Sequence, residues 1–263
     1  MESPPPPGSG GALLQLQGIC KNFGPVQALV GIDLVLQAGK VTALVGDNGA
    51  GKTAMIKTIS GIWPPDGGKI LWQDKVVHLH SPKDATGLGI TTVYQDLALC
   101  DNLDIVQNMF LGHEPSRLGT LDEITMELTA RETLDALAVT TVRSIRQPVA
   151  SLSGGQRQTV AVARAVMAHS KLVILDEPTA ALGVAQTAMV LGLVKRLAEQ
   201  GVTVLMVSHN LNDVFEVADR LAVLYLGHLV ADGPASDFDR QLAVEYMTTG
   251  RAQRAATTAP SPG

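Results

Sequence analysis

The segment at residues 46–53, with the sequence GDNGAGKT, constrains this chain more than any other feature. It fits the pattern G-x-x-x-x-G-K-[ST], follows an apolar run at residues 41–45 and precedes a helical pattern at residues 52–60. Glycines let backbone N–H groups converge on phosphate oxygens, and the start of a helix adds a partial positive charge. The pattern predicts a strand, a phosphate-binding loop and a helix. A chance glycine-rich turn would not explain the flanking elements.

Each residue type in this loop has a predicted role. We expect Lys52 to reach the β- and γ-phosphates of a nucleotide and the Thr53 hydroxyl to ligate Mg²⁺. The residues predicted to surround the nucleotide in this segment are Gly46, Asp47, Asn48, Gly49, Ala50, Gly51, Lys52, Thr53 and Ala54.

Two acidic residues follow a second apolar run, at residues 172–175. A buried strand here would place Asp176 at its carboxyl end, where ligands collect in open parallel sheets. We expect Asp176 to hold Mg²⁺, directly or through water, and Glu177 to orient the attacking water or accept its proton. The alternative is a strand that runs into a solvated loop, and the presence of the phosphate-binding loop argues against it.

The order of the remaining patterns predicts an α/β fold. Residues 172–175 and 203–207 are predicted strands with a helical pattern at 185–200 between them, and such a unit implies a parallel sheet with a right-handed crossover. A further strand is predicted at residues 221–224. Segments 13–19 and 31–36 are predicted to form an antiparallel flank.

Residues 96–165 contain few strand signals and predict a helical subdomain inserted into this body. One amphipathic helix is expected at residues 122–137, with Leu128, Leu134 and Leu137 among its apolar positions, and a second at 154–168. Residues 1–11 are rich in proline and glycine, and residues 251–263 in alanine, threonine and proline, so both tails are expected to be disordered.

A third motif, with the sequence LSGGQ, occupies residues 152–156. Ser153 is a suitable N-cap for the helix that follows, and Gly154 and Gly155 would expose backbone N–H groups at its start. An ordinary capped helix explains the serine. It does not explain two glycines and Gln156 in the first turn, because glycine weakens a helix.

With these motifs in order, the sequence resembles the nucleotide-binding subunit of ATP-binding-cassette (ABC) transporters over about residues 12–250. Residues 46–53, 172–177 and 152–156 resemble that family's Walker A, Walker B and signature motifs. Gln95 matches the Q-loop glutamine, and His209 the switch histidine. Phe23 stands where the family places an aromatic ring on adenine, although its position would also suit a core residue. The resemblance implies a P-loop NTPase (RecA-like) core.

The resemblance implies ATP and Mg²⁺ as ligands and a set of site residues. Mg²⁺ would be held by Thr53, Gln95 and Asp176, and catalysis would involve Lys52, Gln95, Glu177 and His209. ATP would lie between two copies of the chain, with the partner copy contributing Ser153, Gly154, Gly155 and Gln156. A homodimer is therefore expected. Residues 97–112 would dock on a membrane permease, unless apolar residues such as Met109 and Phe110 belong to the core instead.

Several stretches, such as VYQDLAL at residues 93–99 and EPTAALGV at 177–184, resemble bacterial monosaccharide importers with a single cassette. Such a subunit would work with a permease and an extracytoplasmic sugar-binding protein. Two positions depart from the wider family: Gly183 stands where an aspartate is common, which puts the usual D-loop carboxylate contact in doubt, and Ala54 stands where Thr or Ser is common.

Composition limits the alternatives. The net charge is −5, whereas nucleic-acid binders usually carry a basic surface. We therefore expect no nucleic acid as a partner, and a cassette acting on ribosomes or DNA is disfavoured. No apolar run approaches the ~20 residues of a membrane span, and residues 1–11 do not form a secretory signal. We expect a peripheral subunit on the cytoplasmic face of the membrane. Transport of another small solute and a purely regulatory ATP-binding module remain alternatives.

Overall fold

Two β-sheets and a group of helices make up the computed structural model, which describes residues 11–117, 119–139, 141–167 and 170–251. The described strands are β1 (Ala12–Phe23), β2 (Val26–Gln37), β3 (Val41–Gly46), β4 (Gly67–Trp72), β5 (Lys75–Val77), β6 (Ile90–Val93), β7 (Ser116–Arg117), β8 (Thr120–Leu121), β9 (Leu172–Asp176), β10 (Thr203–Val207), β11 (Arg220–Tyr225) and β12 (His228–Pro234). The described helices are α1 (Lys52–Ile59), α2 (Pro82–Leu88), α3 (Ile105–Phe110), α4 (Glu123–Ala136), α5 (Gly154–Met167), α6 (Val184–Glu199), α7 (Leu211–Val217) and α8 (Arg240–Thr249).

The larger sheet has the strand order β12-β11-β3-β10-β9-β6. Its neighbours run parallel except for β11 and β12, which form an antiparallel hairpin. Successive side chains of β9 enter two different cores: Val173 and Leu175 pack on one face of the sheet, and Leu172 and Ile174 on the other. Burial on both faces explains why this strand is apolar throughout rather than alternating.

The smaller sheet, β2-β1-β4-β5, is antiparallel and confirms the predicted flank. Both predicted strands are longer than expected, and β4 and β5 come after the phosphate-binding loop rather than before it. Leu14 and Leu36 of this sheet share one core with Met55 and Ile56 of α1. The flank therefore holds the helix that follows the phosphate-binding loop against the larger sheet.

The segment between β6 and β9 is largely helical, as predicted, with a two-stranded hairpin of β7 and β8. Helix α4 lies within the predicted span, with Leu134 and Leu137 buried. Leu128, another apolar position of this helix, is instead 57% exposed. Met109 and Phe110 of α3 are buried, so the core interpretation holds for both.

The predictions of disorder fall on residues 1–10 and 252–263, which lie outside the described residues, as does residue 168 at the expected end of α5. Of the two predicted tails, the structure describes only Gly11 and Arg251. Across the described ranges, no helix is long and apolar enough to cross a bilayer.

Candidate active site

A cavity of about 450 Å³ opens where β3, β6, β9 and β10 end at the same edge of the larger sheet. Parallel strands bring their carboxyl ends together, so loops that are far apart in sequence meet here. The cavity contains ten of the residues singled out as nucleotide ligands, metal ligands or catalysts, from four separate segments. Its lining is Asn48, Gly49, Gly51, Lys52, Thr53, Ala54, Gln95, Asp176, Glu177, Ala180 and His209.

Two glycines of the phosphate-binding loop are required by close backbone contacts. A Cβ atom on Gly46 would lie 2.5 Å from the carbonyl oxygen of Leu224, and one on Gly51 would lie 2.6 Å from that of Ala28. Gly51 also has a φ of +109°, which disfavours other residues. The backbones of β11 and β2 therefore lie against the loop and restrict its conformation.

The start of α1 faces this cavity without a side-chain cap. Gly51 occupies the N-cap position and makes no side-chain hydrogen bond, so no described side chain caps the first-turn amides of this helix. The Lys52 ammonium donates hydrogen bonds to the carbonyl oxygens of Gly46 and Asp47, at 2.6 and 3.0 Å. Free amides, a helix N-terminus and a lysine together make an anion-binding site.

Glu177 and His209 are in direct contact across the cavity. His209 Nδ1 lies 2.9 Å from Glu177 Oε1, with the histidine side chain 65% exposed and the glutamate 14% exposed. Glu177 has a φ of +49°, uncommon for a residue with a side chain, and its N–H donates to the Val207 carbonyl oxygen at 2.9 Å. The carboxylate is thus presented from a constrained turn at the end of β9.

Asp176 lies one residue earlier, beside Lys52 and Glu177. Burial raises the pKa of its carboxyl above the ordinary value, and the negative charge of Glu177 raises it further. The positive charges of Lys52 and Lys57 act in the opposite direction. The folded chain therefore holds an anionic Asp176 less favourably than water holds an exposed carboxylate, and a cation in the cavity would stabilise the anion.

Comparison with known proteins gives this site a family. Residues 29–180, more than half of the chain, match the ABC transporter family. This chain is a member of the ABC transporter family. As a cassette of that family it binds and hydrolyses ATP.

Its relatives include sugar-import proteins of similar length. The chain is 45% identical to the fructose import ATP-binding protein FrcA of Rhizobium meliloti, over 90% of this chain and 94% of that protein. It is 42% identical to the xylose/arabinose import ATP-binding protein XylG of Sulfolobus acidocaldarius, with the same shares covered. The ribose import ATP-binding protein RbsA 1 of Agrobacterium fabrum is 38% identical, and this chain spans only 50% of its length.

Solved structures confirm the cassette fold. The ATP-binding cassette MJ1267 has a TM-score of 0.80 at 25% identity, over 90% of this chain and 96% of that one. A nucleotide-free cassette from an ABC transporter has a TM-score of 0.75 at 26% identity, covering 85% and 92%. The predicted fold class, a P-loop NTPase core with an antiparallel flank and a helical insert, is therefore confirmed.

The ABC signature segment lies outside the cavity. Ser153 and Gly154 are exposed at the start of α5, whereas Gly155 is buried. Ser153 and Gln156 cap this helix reciprocally: the Ser153 N–H donates to Gln156 Oε1 at 2.9 Å, and the Gln156 N–H donates to Ser153 Oγ at 3.4 Å. Residues 153–156 are expected to contact the ATP of a partner copy rather than this chain's own, and that role stays a prediction.

Phe23 also lies outside the cavity lining, and it is not a core residue, since it is 40% exposed. Its ring meets that of Trp63 edge to face, with centroids 4.6 Å apart. Trp63 is partly buried and packs against the core shared by the antiparallel sheet and α1. No local sequence signal pairs the two, because the contact depends on how β1 meets the loop after α1.

Proposed function

We propose that this ABC cassette uses Mg²⁺-dependent ATP hydrolysis to drive the import of a monosaccharide through a membrane permease. Two copies would act together on the cytoplasmic face of the membrane. The observation that carries the proposal is the convergence of Lys52, Asp176, Glu177 and His209 on one cavity at the end of an uncapped helix.

The residues in the cavity suit Mg²⁺. Thr53, Gln95 and Asp176 offer a hydroxyl, an amide and a carboxylate oxygen on the same cavity. No group of three or more His, Cys, Asp or Glu suited to a metal occurs among the described residues. That fits Mg²⁺, which is usually held by one or two carboxylates together with water and substrate phosphates. When bound, the ion would neutralise charge that develops on the phosphates.

The chemistry would proceed through the chain's own side chains. Lys52 and the amides at the start of α1 would hold the β- and γ-phosphates of ATP. Glu177 would accept a proton from water as its oxygen attacks the γ-phosphorus, and the bond to the β–γ bridging oxygen would break. His209, within 2.9 Å of Glu177, would hold that carboxylate in place and contact the γ-phosphate.

A second copy would complete the site. Ser153 and Gly154 are exposed and do not line this chain's own cavity. In our proposal Ser153, Gly154, Gly155 and Gln156 instead meet the ATP held by the partner copy. Each copy would then offer one cavity and one signature segment in a head-to-tail pair. Affinity between the copies would depend on the γ-phosphate, which gives a switch between ATP and ADP states.

The proposed cargo follows from the relatives named for fructose and xylose/arabinose import, which this chain matches nearly end to end. A permease and an extracytoplasmic sugar-binding protein would recognise the sugar. The segment at residues 97–112, within the helical region at about residues 96–165, would contact the permease. The ordered cassette would extend over residues 12–250, with residues 1–11 and 251–263 as tails.

The Glu177→Gln variant tests the catalytic assignment. Loss of the proposed base should reduce ATP turnover at least ~100-fold and leave ATP-bound dimers to accumulate. Glu132→Gln is the matched control, because Glu132 is exposed on α4, and it should hydrolyse ATP at the wild-type rate. Wild-type turnover by Glu177→Gln would refute the role of this residue.

The cargo requires a separate measurement. The chain would be reconstituted in vesicles with its permease and sugar-binding protein, and ATP hydrolysis measured with each of a panel of monosaccharides and amino acids. Stimulation by at least one monosaccharide is expected. Stimulation by amino acids alone would replace sugar import with import of another solute.

A further inference from the structure

Asp213 is a buried carboxylate that the proposed reaction does not use. It lies on α7, four residues after His209, and is 6% exposed. The hydroxyl of Thr179, itself 8% exposed, donates a hydrogen bond to Asp213 Oδ2 at 2.6 Å. Burial of a carboxylate is unfavourable unless hydrogen bonds compensate, so this contact needs an explanation.

The contact joins the two loops that carry Glu177 and His209. Thr179 lies two residues after Glu177, in the turn between β9 and α6. A second link runs beside it, from the Glu177 N–H to the Val207 carbonyl oxygen at 2.9 Å. Two hydrogen bonds thus join the loop of Glu177 to the segment around His209. One reaches Val207, before His209, and the other reaches Asp213, after it.

Helix α7 provides a firm base for this link. Val214 is fully buried in the core beside Asp213, and the Asn210 side chain caps the helix by accepting from the Asn212 N–H. The turn that bears Glu177 is less favourable by itself, because a non-glycine residue at a φ of +49° requires support from its surroundings. The hydrogen bond from Thr179 to Asp213 supports this turn two residues after Glu177.

We propose that Thr179 and Asp213 are positioning residues, whose buried hydrogen bond fixes the separation of Glu177 and His209 and thereby the rate of ATP hydrolysis. The inference rests on the proposed function. Neither residue lines the cavity, so both act through the loops they join. Nucleotide binding depends on the separate loop around Lys52 and should be preserved when this link is lost.

Thr179→Val removes the hydroxyl and keeps the volume. We expect kcat for ATP to fall about 10-fold, because small misplacements of reacting groups are costly, with KM and nucleotide affinity within about 2-fold of wild type. Thr179→Ser restores the hydroxyl and should retain kcat. Thr133→Val is the control, since it removes a hydroxyl that bonds only the Thr129 carbonyl oxygen on α4.

The double variant Thr179→Val/Asp213→Leu separates positioning from stability. With both partners apolar, no buried carboxylate is left unpaired, so the unfolding midpoint should return toward wild type while kcat stays low. Recovery of kcat together with stability, or an unchanged kcat in a folded Thr179→Val chain, would overturn the proposal. Wild-type ATPase activity and its loss in Glu177→Gln, measured in the same series, report on the proposed function independently.

Discussion

The phosphate-binding loop at residues 46–53 and the signature segment at 152–156 look alike in sequence, since both are glycine-rich and each leads into a helix. Their glycines serve different purposes. Gly51 has a positive φ and lies against the Ala28 carbonyl, whereas neither Gly154 nor Gly155 has a positive φ. A Cβ on Gly155 would lie 2.9 Å from Gln186 Cβ, so this glycine allows α5 to approach α6 closely.

The N-termini of α1 and α5, the helices that follow these two segments, also differ. Helix α1 starts without a side-chain cap and faces a cavity, while the start of α5 is capped by Ser153 and Gln156. One segment is ready to bind phosphate within its own chain. The other is stable without a ligand and presents Ser153 outward, as our proposal of a second copy requires.

The largest expected effect separates ATP binding by one chain from completion of the site by a second copy. Lys52→Ala should weaken ATP binding by the single chain and reduce hydrolysis at least ~100-fold, because it removes the charge that holds the phosphates. Ser153→Arg should reduce hydrolysis to a similar degree and leave ATP affinity of the dilute single chain unchanged. Equilibrium binding and turnover measured on both variants check this. Normal hydrolysis by Ser153→Arg would break the comparison.

A smaller effect concerns the glycines themselves. Gly46→Ala would place a Cβ 2.5 Å from the Leu224 carbonyl oxygen, a backbone atom with little freedom, and should lower the free energy of unfolding by about 2–3 kcal/mol. Gly155→Ala meets the Gln186 side chain and should cost about 1 kcal/mol.

Gly87→Ala in α2 has no atom within 4 Å of the new methyl group and serves as the control. Denaturant unfolding without nucleotide measures all three variants. Equal losses for Gly46→Ala and Gly155→Ala would show that the two motifs do not differ in backbone demand.

The smallest effect is a gain in stability from Asp176→Asn. The pKa of Asp176 is raised in the folded chain, so its cost to stability is absent below the unfolded pKa, grows as pH rises from there to the folded pKa, and is fully present above it. The melting temperature of Asp176→Asn should therefore exceed that of wild type at neutral pH, and the difference should shrink in acid. A constant difference across this range would contradict the assigned cause.

The sequence was sufficient for much of the larger sheet. Strand β10 has the predicted bounds, and β9 and β11 differ from prediction by one or two residues, because strands buried on both faces are continuous apolar runs. Leu128 is an apolar position that stays exposed, because helical periodicity cannot tell which apolar side chains of α4 meet a neighbour. Strands β4 and β5 lack a clear strand pattern, because β4 begins with two glycines and a lysine and β5 has only three residues at the sheet edge.

Some residues of the candidate site can likewise be predicted from local motifs, and others cannot. Local motifs were sufficient for Lys52, Asp176 and Glu177, and their order along parallel strands implies that they meet. The hydrogen bond of Thr179 with Asp213 joins residues 34 positions apart, and the pairing of Phe23 with Trp63 depends on how β1 packs against the loop after α1. No local spacing encodes contacts of this kind, so they could be found only in three dimensions.

Mixing two inactive variants tests most directly whether the signature segment completes the cavity of a second copy. Lys52→Ala and Ser153→Arg chains, each inactive alone, would be combined in equal amounts and their ATP turnover measured. A mixed head-to-tail pair contains one intact site, so turnover should recover to about a quarter of the wild-type value, since half of random pairs are mixed. Turnover that stays at the level of the separate variants would contradict a site shared between copies.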